Sequence, residues 1–195
     1  MRVIVALTLA ALAGSAAAAS ADWRQDARRD DILRYEALDH AWSEGLRQAR
    51  RAGHGSDLRK LGPLVDPRIA LPRPQPAPGS YRCRTIKIGS PAGSTLPFVQ
   101  YGWFRCRVEL TPGGDLILSK TTGSQRPYGH LYPEGDRRLV YLGAVAWGTE
   151  DRVFYGQDPT RDQVGAFERI GPQRYRLAIP YPKQESMLDL IELAK

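Results

Sequence analysis

Histidine, cysteine and methionine are scarce in this 195-residue chain, at three, two and two residues. With so few histidines and no Cys-x-x-Cys pair, no zinc-type ligand set is laid out along the sequence. Only one histidine, His130, lies beyond residue 79, so a Ser-His-Asp triad in that region would have to be built around it. Gly-x-Ser-x-Gly, His-Glu-x-x-His, phosphate-cradling and calcium-loop motifs are absent. Carboxylate pairs such as Asp30/Asp31 and Glu150/Asp151 sit at a helix start and a turn, where capping and solubility account for them. The sequence therefore gives no positive sign of catalysis, and no cofactor or metal is expected. A long basic run is missing too. The formal charge of +7 is spread along the chain, which fits solubility better than a nucleic-acid footprint, so no nucleic-acid partner is expected.

What is present begins at the N-terminus. Met1-Arg2, an apolar run from Val3 to Ala13 and small residues to Ala21 have the layout of a cleavable secretory signal over residues 1–21. Gly14 and Ser15 dilute the run, so a stable membrane anchor is not expected. The mature protein is thus expected to be periplasmic or secreted. Export decides how the two cysteines are read. They sit in matching tetrads, Tyr81-Arg82-Cys83-Arg84 and Phe104-Arg105-Cys106-Arg107, whose alternation points each cysteine to one face of a sheet. In an oxidising compartment the expected state is a Cys83–Cys106 disulfide between neighbouring strands. Closing that loop contributes about 3 kcal/mol on the chain-entropy account.

The mature chain divides into three parts. Residues 22–62 read as a helical arm, in which Ile32, Tyr35, Leu38, Trp42, Leu46 and Ala49 form one apolar stripe on a helix from Asp30 to about Arg51. A second short helix is expected over Asp57–Leu61. Residues 63–79 form a connector with six prolines, Pro63, Pro67, Pro72, Pro74, Pro76 and Pro78, which rule out a regular helix. Residues 80–195 alternate short apolar runs with turn signals. Strands are expected at Tyr81–Ile88, Phe98–Leu110, Leu116–Thr121, Leu139–Trp147, Arg152–Tyr155, Gln163–Ile170, Arg174–Ile179 and Met187–Leu193.

Connections this short force antiparallel neighbours. The fold class is therefore mainly β: a small antiparallel barrel of about eight strands, lipocalin-like or inhibitor-like, with an N-terminal α-helical arm. A two-sheet sandwich is the alternative. Inward candidates are Phe104, Val108, Leu110, Tyr141, Phe154, Phe167, Leu177 and Ile179. Leu139–Trp147 is apolar on both faces, which suggests that the helical arm covers its outside.

The stretch from Ser124 to Tyr132 is the least strand-like of the β region and rich in polar side chains. It reads as a loop, with Gln125, Arg126, Tyr128, His130 and Tyr132 as candidate binding residues. The expected role is a non-catalytic binding module, with an envelope protein as first partner. A small apolar ligand inside the barrel and a protease are the alternatives.

Several segments carry a family resemblance: Tyr81-Arg82-Cys83-Arg84-Thr85-Ile86-Lys87, Trp103-Phe104-Arg105-Cys106-Arg107, Thr122-Gly123-Ser124-Gln125-Arg126-Pro127, Arg138-Leu139-Val140-Tyr141-Leu142-Gly143, Glu168-Arg169-Ile170-Gly171-Pro172 and Glu185 to Leu193. On these the chain resembles the bacterial family described as domain of unknown function 4893, over nearly all of the mature sequence. The resemblance implies no substrate and no catalytic residue. In architecture alone the chain is also similar to small exported barrels that inhibit secreted metalloproteases with an N-terminal arm. Gly79-Ser80-Tyr81 is faintly similar to the lipocalin Gly-x-Trp opening, with Tyr in place of Trp.

Overall fold

The structure, a computed structural model, describes residues 22–91 and 96–195. The signal-peptide reading of residues 1–21 falls outside them. Four helices come first: α1 (Trp23–Asp26), α2 (Arg29–Glu36), α3 (Leu38–Arg51) and α4 (Gly55–Leu61), followed by a 3-10 turn at Gly62–Val65. Nine strands follow: β1 (Gly79–Ile88), β2 (Phe98–Gln100), β3 (Phe104–Leu110), β4 (Leu116–Lys120), β5 (Gln125–Glu134), β6 (Arg138–Trp147), β7 (Asp162–Gly171), β8 (Arg174–Pro180) and β9 (Leu188–Ala194).

Each strand from β3 onward pairs antiparallel with the next, and β9 returns to pair with β1, so eight strands close into a barrel. The sandwich alternative is excluded by that closure. β2 is the additional strand and lies on the same edge of β1 as β3. Cys83 faces Phe104 and Ile86 faces Gln100, leaving one more residue on the β2–β3 side than on β1. The expected single strand Phe98–Leu110 is therefore broken by a bulge at residues 101–103.

Alternation along these strands creates two cores. Inside the barrel lie Tyr81, Cys83, Cys106, Val108, Tyr141, Phe167, Tyr175, Leu177 and Leu193, among others. The Cys83–Cys106 disulfide spans β1 and β3 with a Cα–Cα distance of 5.8 Å. The second core lies between the helices and the outer wall, where Trp23, Tyr35, Leu38, Trp42 and Leu46 meet Ile86, Ile88, Val140, Leu142, Val164 and Leu190. Each large side chain buried this way contributes about 2 kcal/mol. The arm's stripe thus covers the outer apolar face that β6 shares with its neighbours. Close approach needs glycine here: a side chain on Gly89, which has φ 72°, would put its Cβ 2.8 Å from Gly45 Cα on α3.

Polar pins hold the arm in register. The Arg28 guanidinium donates to Asp162 at 2.9 Å, and the fully buried Asp31 accepts from Arg34 and from the Tyr155 hydroxyl. Arg176 on β8 is also completely buried. It pairs with Glu168 and donates to the carbonyls of Leu64 (3.1 Å), Asp66 (2.8 Å) and Ile69 (3.1 Å), binding the start of the connector to the wall. The connector then crosses one barrel end. Leu71 bridges Arg169, the Arg73 amide donates to Asp136 O, and the Tyr81 hydroxyl donates to Ala77 O.

Several sequence expectations need correction. The long helix is two, kinked at Ala37, whose amide is shared between Leu33 O and Arg34 O; the residue type there does not explain the kink. Arg152–Tyr155 is not a strand but part of the β6–β7 connection. Leu110 and Phe154 are not buried in the interior. They are 57% and 46% exposed, Leu110 because β3 runs past the barrel end and Phe154 because no ladder holds it.

The largest correction is at residues 124–132, read as a loop. Apart from Ser124 they belong to β5, paired with both β4 and β6. Proline is tolerated there for a geometric reason. Pro127 faces Val145, whose amide donates away from β5 to Arg161 O, so the missing Pro127 donor would have pointed toward β4. On that side the ladder ends at Tyr128.

Candidate functional site

The two ends of the barrel differ in chemistry. The end bearing the β3–β4, β5–β6 and β7–β8 turns is apolar inside and is crossed by the connector. The opposite end, the mouth, is formed by the β2–β3 bulge and by the β4–β5, β6–β7 and β8–β9 connections. Continuing the inward alternation of β1, β4 and β9 toward the mouth replaces apolar residues by Thr85, Lys87, Lys120 and Asp189.

Lys87 is 4% exposed and donates to Asp189 at 3.0 Å, with Glu185 Oε2 3.5 Å away. Burial works against its charge, but the two carboxylates outweigh burial and raise its pKa. Burial pushes Asp189 up, while Lys87 and the Ser186 hydroxyl pull it back. Lys120 is 6% exposed, and among the described residues it pairs with no carboxylate. Its ammonium donates to Gln125 O at 2.7 Å and lies 3.9 Å from the centre of the Phe104 ring. Burial, then Lys87 and Arg126, push its pKa down to about 8. Gly123, at φ 93°, is required beside it: a side chain there would put its Cβ 2.8 Å from Phe104 and 2.9 Å from Lys120 Nζ.

Two buried polar groups on the inward faces of β6 and β7 have no hydrogen-bond partner among the described residues, the Tyr141 hydroxyl and Gln163 Oε1. They are neighbours on the wall. The hydroxyl fills the space that a Gly143 side chain would need, and Gly143 faces Gln163 across β6 and β7. A cavity of 130 Å³ at the mouth is lined by Thr85, Tyr101, Phe104, Lys120, Ser124, Gln125 and Glu185. A second, of 490 Å³, shares Ser124, Gln125 and Glu185 and adds Trp147, Gly148 and Gln184.

The residues picked out from the sequence divide between this mouth and an outer groove. Gln125 lines both mouth cavities. Arg126 donates to Gly148 O and Glu150 O, fastening the start of the β6–β7 connection. Tyr128, His130 and Tyr132 project together from the outer face of β5 into a groove of 260 Å³ with Asp26, Phe154 and Tyr155. The Tyr132 hydroxyl donates to Asp26 at 3.0 Å, and burial followed by Asp26 pushes its pKa up to about 12. The Arg152 guanidinium lies over Tyr128 at 4.1 Å.

Lys87, Lys120, Thr85 and Asp189 were missed because charged and polar residues on strands read as solvent-facing. The available signal was parity: each follows the inward register of Cys83, Leu118 or Ile191.

The profile of a protein family described as Domain of unknown function (DUF4893) matches residues 23–193. The chain belongs to that family. The match runs from α1 through β9 and so includes both the arm and the mouth of this DUF4893 protein. No curated protein and no solved structure matches the chain.

Proposed function

We propose that this protein is an exported, non-catalytic binding module that takes a small ligand at the mouth of its barrel. The observation that carries this reading is Lys120, a buried ammonium that lines a cavity and forms no ion pair among the described residues, the one carboxylate on that cavity, Glu185, being turned to Lys87. Burying an unmatched charge is unfavourable for folding alone, so a partner from outside the chain gives it a reason. Export rests on the N-terminal layout of residues 1–21.

The apolar-carrier reading has less to rest on, because Tyr81, Tyr141, Phe167, Tyr175 and the disulfide occupy the apolar half of the interior. A protease-inhibitor role would need a free arm, whereas Trp23, Trp42 and Leu46 are buried against the wall. An envelope protein remains a second reading, favoured by Trp147 and Phe154, which are 40% and 46% exposed near the rim.

Native mass spectrometry of protein purified from its exported location separates these readings. A bound mass of a few hundred daltons, released on denaturation, is expected. A co-purifying polypeptide without any small molecule would transfer the function to the exposed aromatics.

A further inference from the structure

We infer that the mouth binds the carboxylate of a small organic acid against the Lys120 ammonium, with the body of a larger acid lying in the adjoining cavity beside Trp147. The inference rests on the mouth being the ligand site and adds the chemical class of the ligand.

Charge balance gives the sign and size of the missing group. Among the buried charges at the mouth, Lys87 and Asp189 offset one another at 3.0 Å, which leaves Lys120 in excess. Glu185 stands at the rim, its side chain 61% exposed, and is turned to Lys87. One negative charge completes the set, which favours a monoanion over a phosphate dianion. The ammonium has three donors and spends one on Gln125 O. The remaining donors have the cavity before them, together with the side chains of Thr85, Tyr101, Ser124 and Gln125, none of which has a hydrogen-bond partner among the described residues.

Size agrees. The inner space of 130 Å³ equals about four water molecules at roughly 30 Å³ each, enough for a carboxylate and a short stem. The outer space of 490 Å³ begins at the same Ser124, Gln125 and Glu185 and is bounded by the half-exposed Trp147, whose ring also carries the Arg161 guanidinium at 3.4 Å. A purely structural Lys120 fits less well. It is buried without an ion-pair partner among the described residues, and the charges of Lys87 and Arg126 add to the cost of its own.

The test is titration of the mature protein with sodium acetate, benzoate, octanoate and inorganic phosphate at fixed ionic strength, following melting temperature and Trp fluorescence. Saturable stabilisation by the carboxylates is expected. Acetate acting as strongly as octanoate would point to a free short acid, and a gain with chain length to a fatty acid. Lys120→Met should weaken binding at least about tenfold, the loss expected for one charge-assisted contact. Its ligand-free melting temperature should equal or exceed that of the wild type. Glu185→Gln, a substitution at the exposed rim, should tighten binding about threefold by removing like charge. It also serves as the readout if Lys120→Met does not fold.

Stabilisation by phosphate alone would overturn the carboxylate assignment while leaving the mouth as the site. A neutral ligand retained on purification, with no anion response, would do the same. Carboxylate binding unchanged in Lys120→Met, or insensitive to Glu185→Gln, would overturn the role given to Lys120.

Discussion

The two ends of the barrel share strands and alternation yet are built to opposite rules. Toward the closed end the buried inward residues are apolar or aromatic and a connector lies across the opening, while the disulfide sits at the boundary with the mouth, Cys83 facing Phe104 and Cys106 facing Lys120. At the mouth the same strands point two lysines, an aspartate and a threonine into the interior. Packing supplies stability at the first end. The second end keeps polar groups that folding alone does not reward, which is the usual division between scaffold and site.

Mutations at the two ends should therefore move stability in opposite directions. The largest effect is expected at the closed end: Phe167→Ala removes a fully buried ring that stacks on Tyr175 at 5.5 Å and should cost about 4 kcal/mol in urea denaturation. Next comes the disulfide. Cys83→Ser with Cys106→Ser should cost about 3 kcal/mol, and reducing the wild type should produce a similar drop in its denaturation midpoint. A loss well under about 1 kcal/mol in either case would mean that the packed apolar interior is not the stabilising part.

The smallest effect, of reversed sign, belongs to Lys120. Its folded-state pKa is about 8 against the ordinary 10.5. Below pH 8 both folded and unfolded chains carry the proton, and the burial penalty is present in full. Between pH 8 and 10.5 the folded chain has released the proton while the unfolded chain keeps it, so wild-type stability should rise across that window. Lys120→Met should be more stable than the wild type by about 1 kcal/mol at pH 7 and should lose most of that advantage by pH 10. Lys87, Arg126, Tyr101 and Glu185 also surround the mouth, so the difference between variant and wild type, rather than either curve alone, is the quantity to read. A Lys120→Met protein less stable than the wild type at pH 7 would place Lys120 with the scaffold.

Much of the scaffold was legible in the sequence because it is written in local periodicity. The Tyr-x-Cys and Phe-x-Cys steps gave the facing of β1 and β3 and hence the disulfide. The stripe from Ile32 to Ala49 marked the face that the arm buries, and the two-sided apolarity of Leu139–Trp147 marked the wall beneath it. β5 was not legible. Pro127, Gly129 and Pro133 oppose a strand by propensity, and only pairing with β6 overrules them. Gly129 is used there because β6 lies against it: a Cβ would sit 2.3 Å from Leu142 O, 2.5 Å from Gly143 Cα and 2.6 Å from Cε2 of the Tyr141 ring. That contact joins residues on different strands and leaves no local trace.

The candidate site was the least legible part. Gln125 was singled out and lies at the mouth, but Tyr128, His130 and Tyr132 face an outer groove. Lys87 and Lys120 are 33 positions apart, and each looks like an ordinary solvated strand residue. By itself the sequence determined the alternation, the bridge and the apolar stripe, because each depends on neighbours within a few residues or on a single possible cysteine pairing. Closure of β9 onto β1 decided the rest. Only a closed barrel turns one face of each strand into an interior, and only then do distant lysines become buried charges in need of a counter-ion.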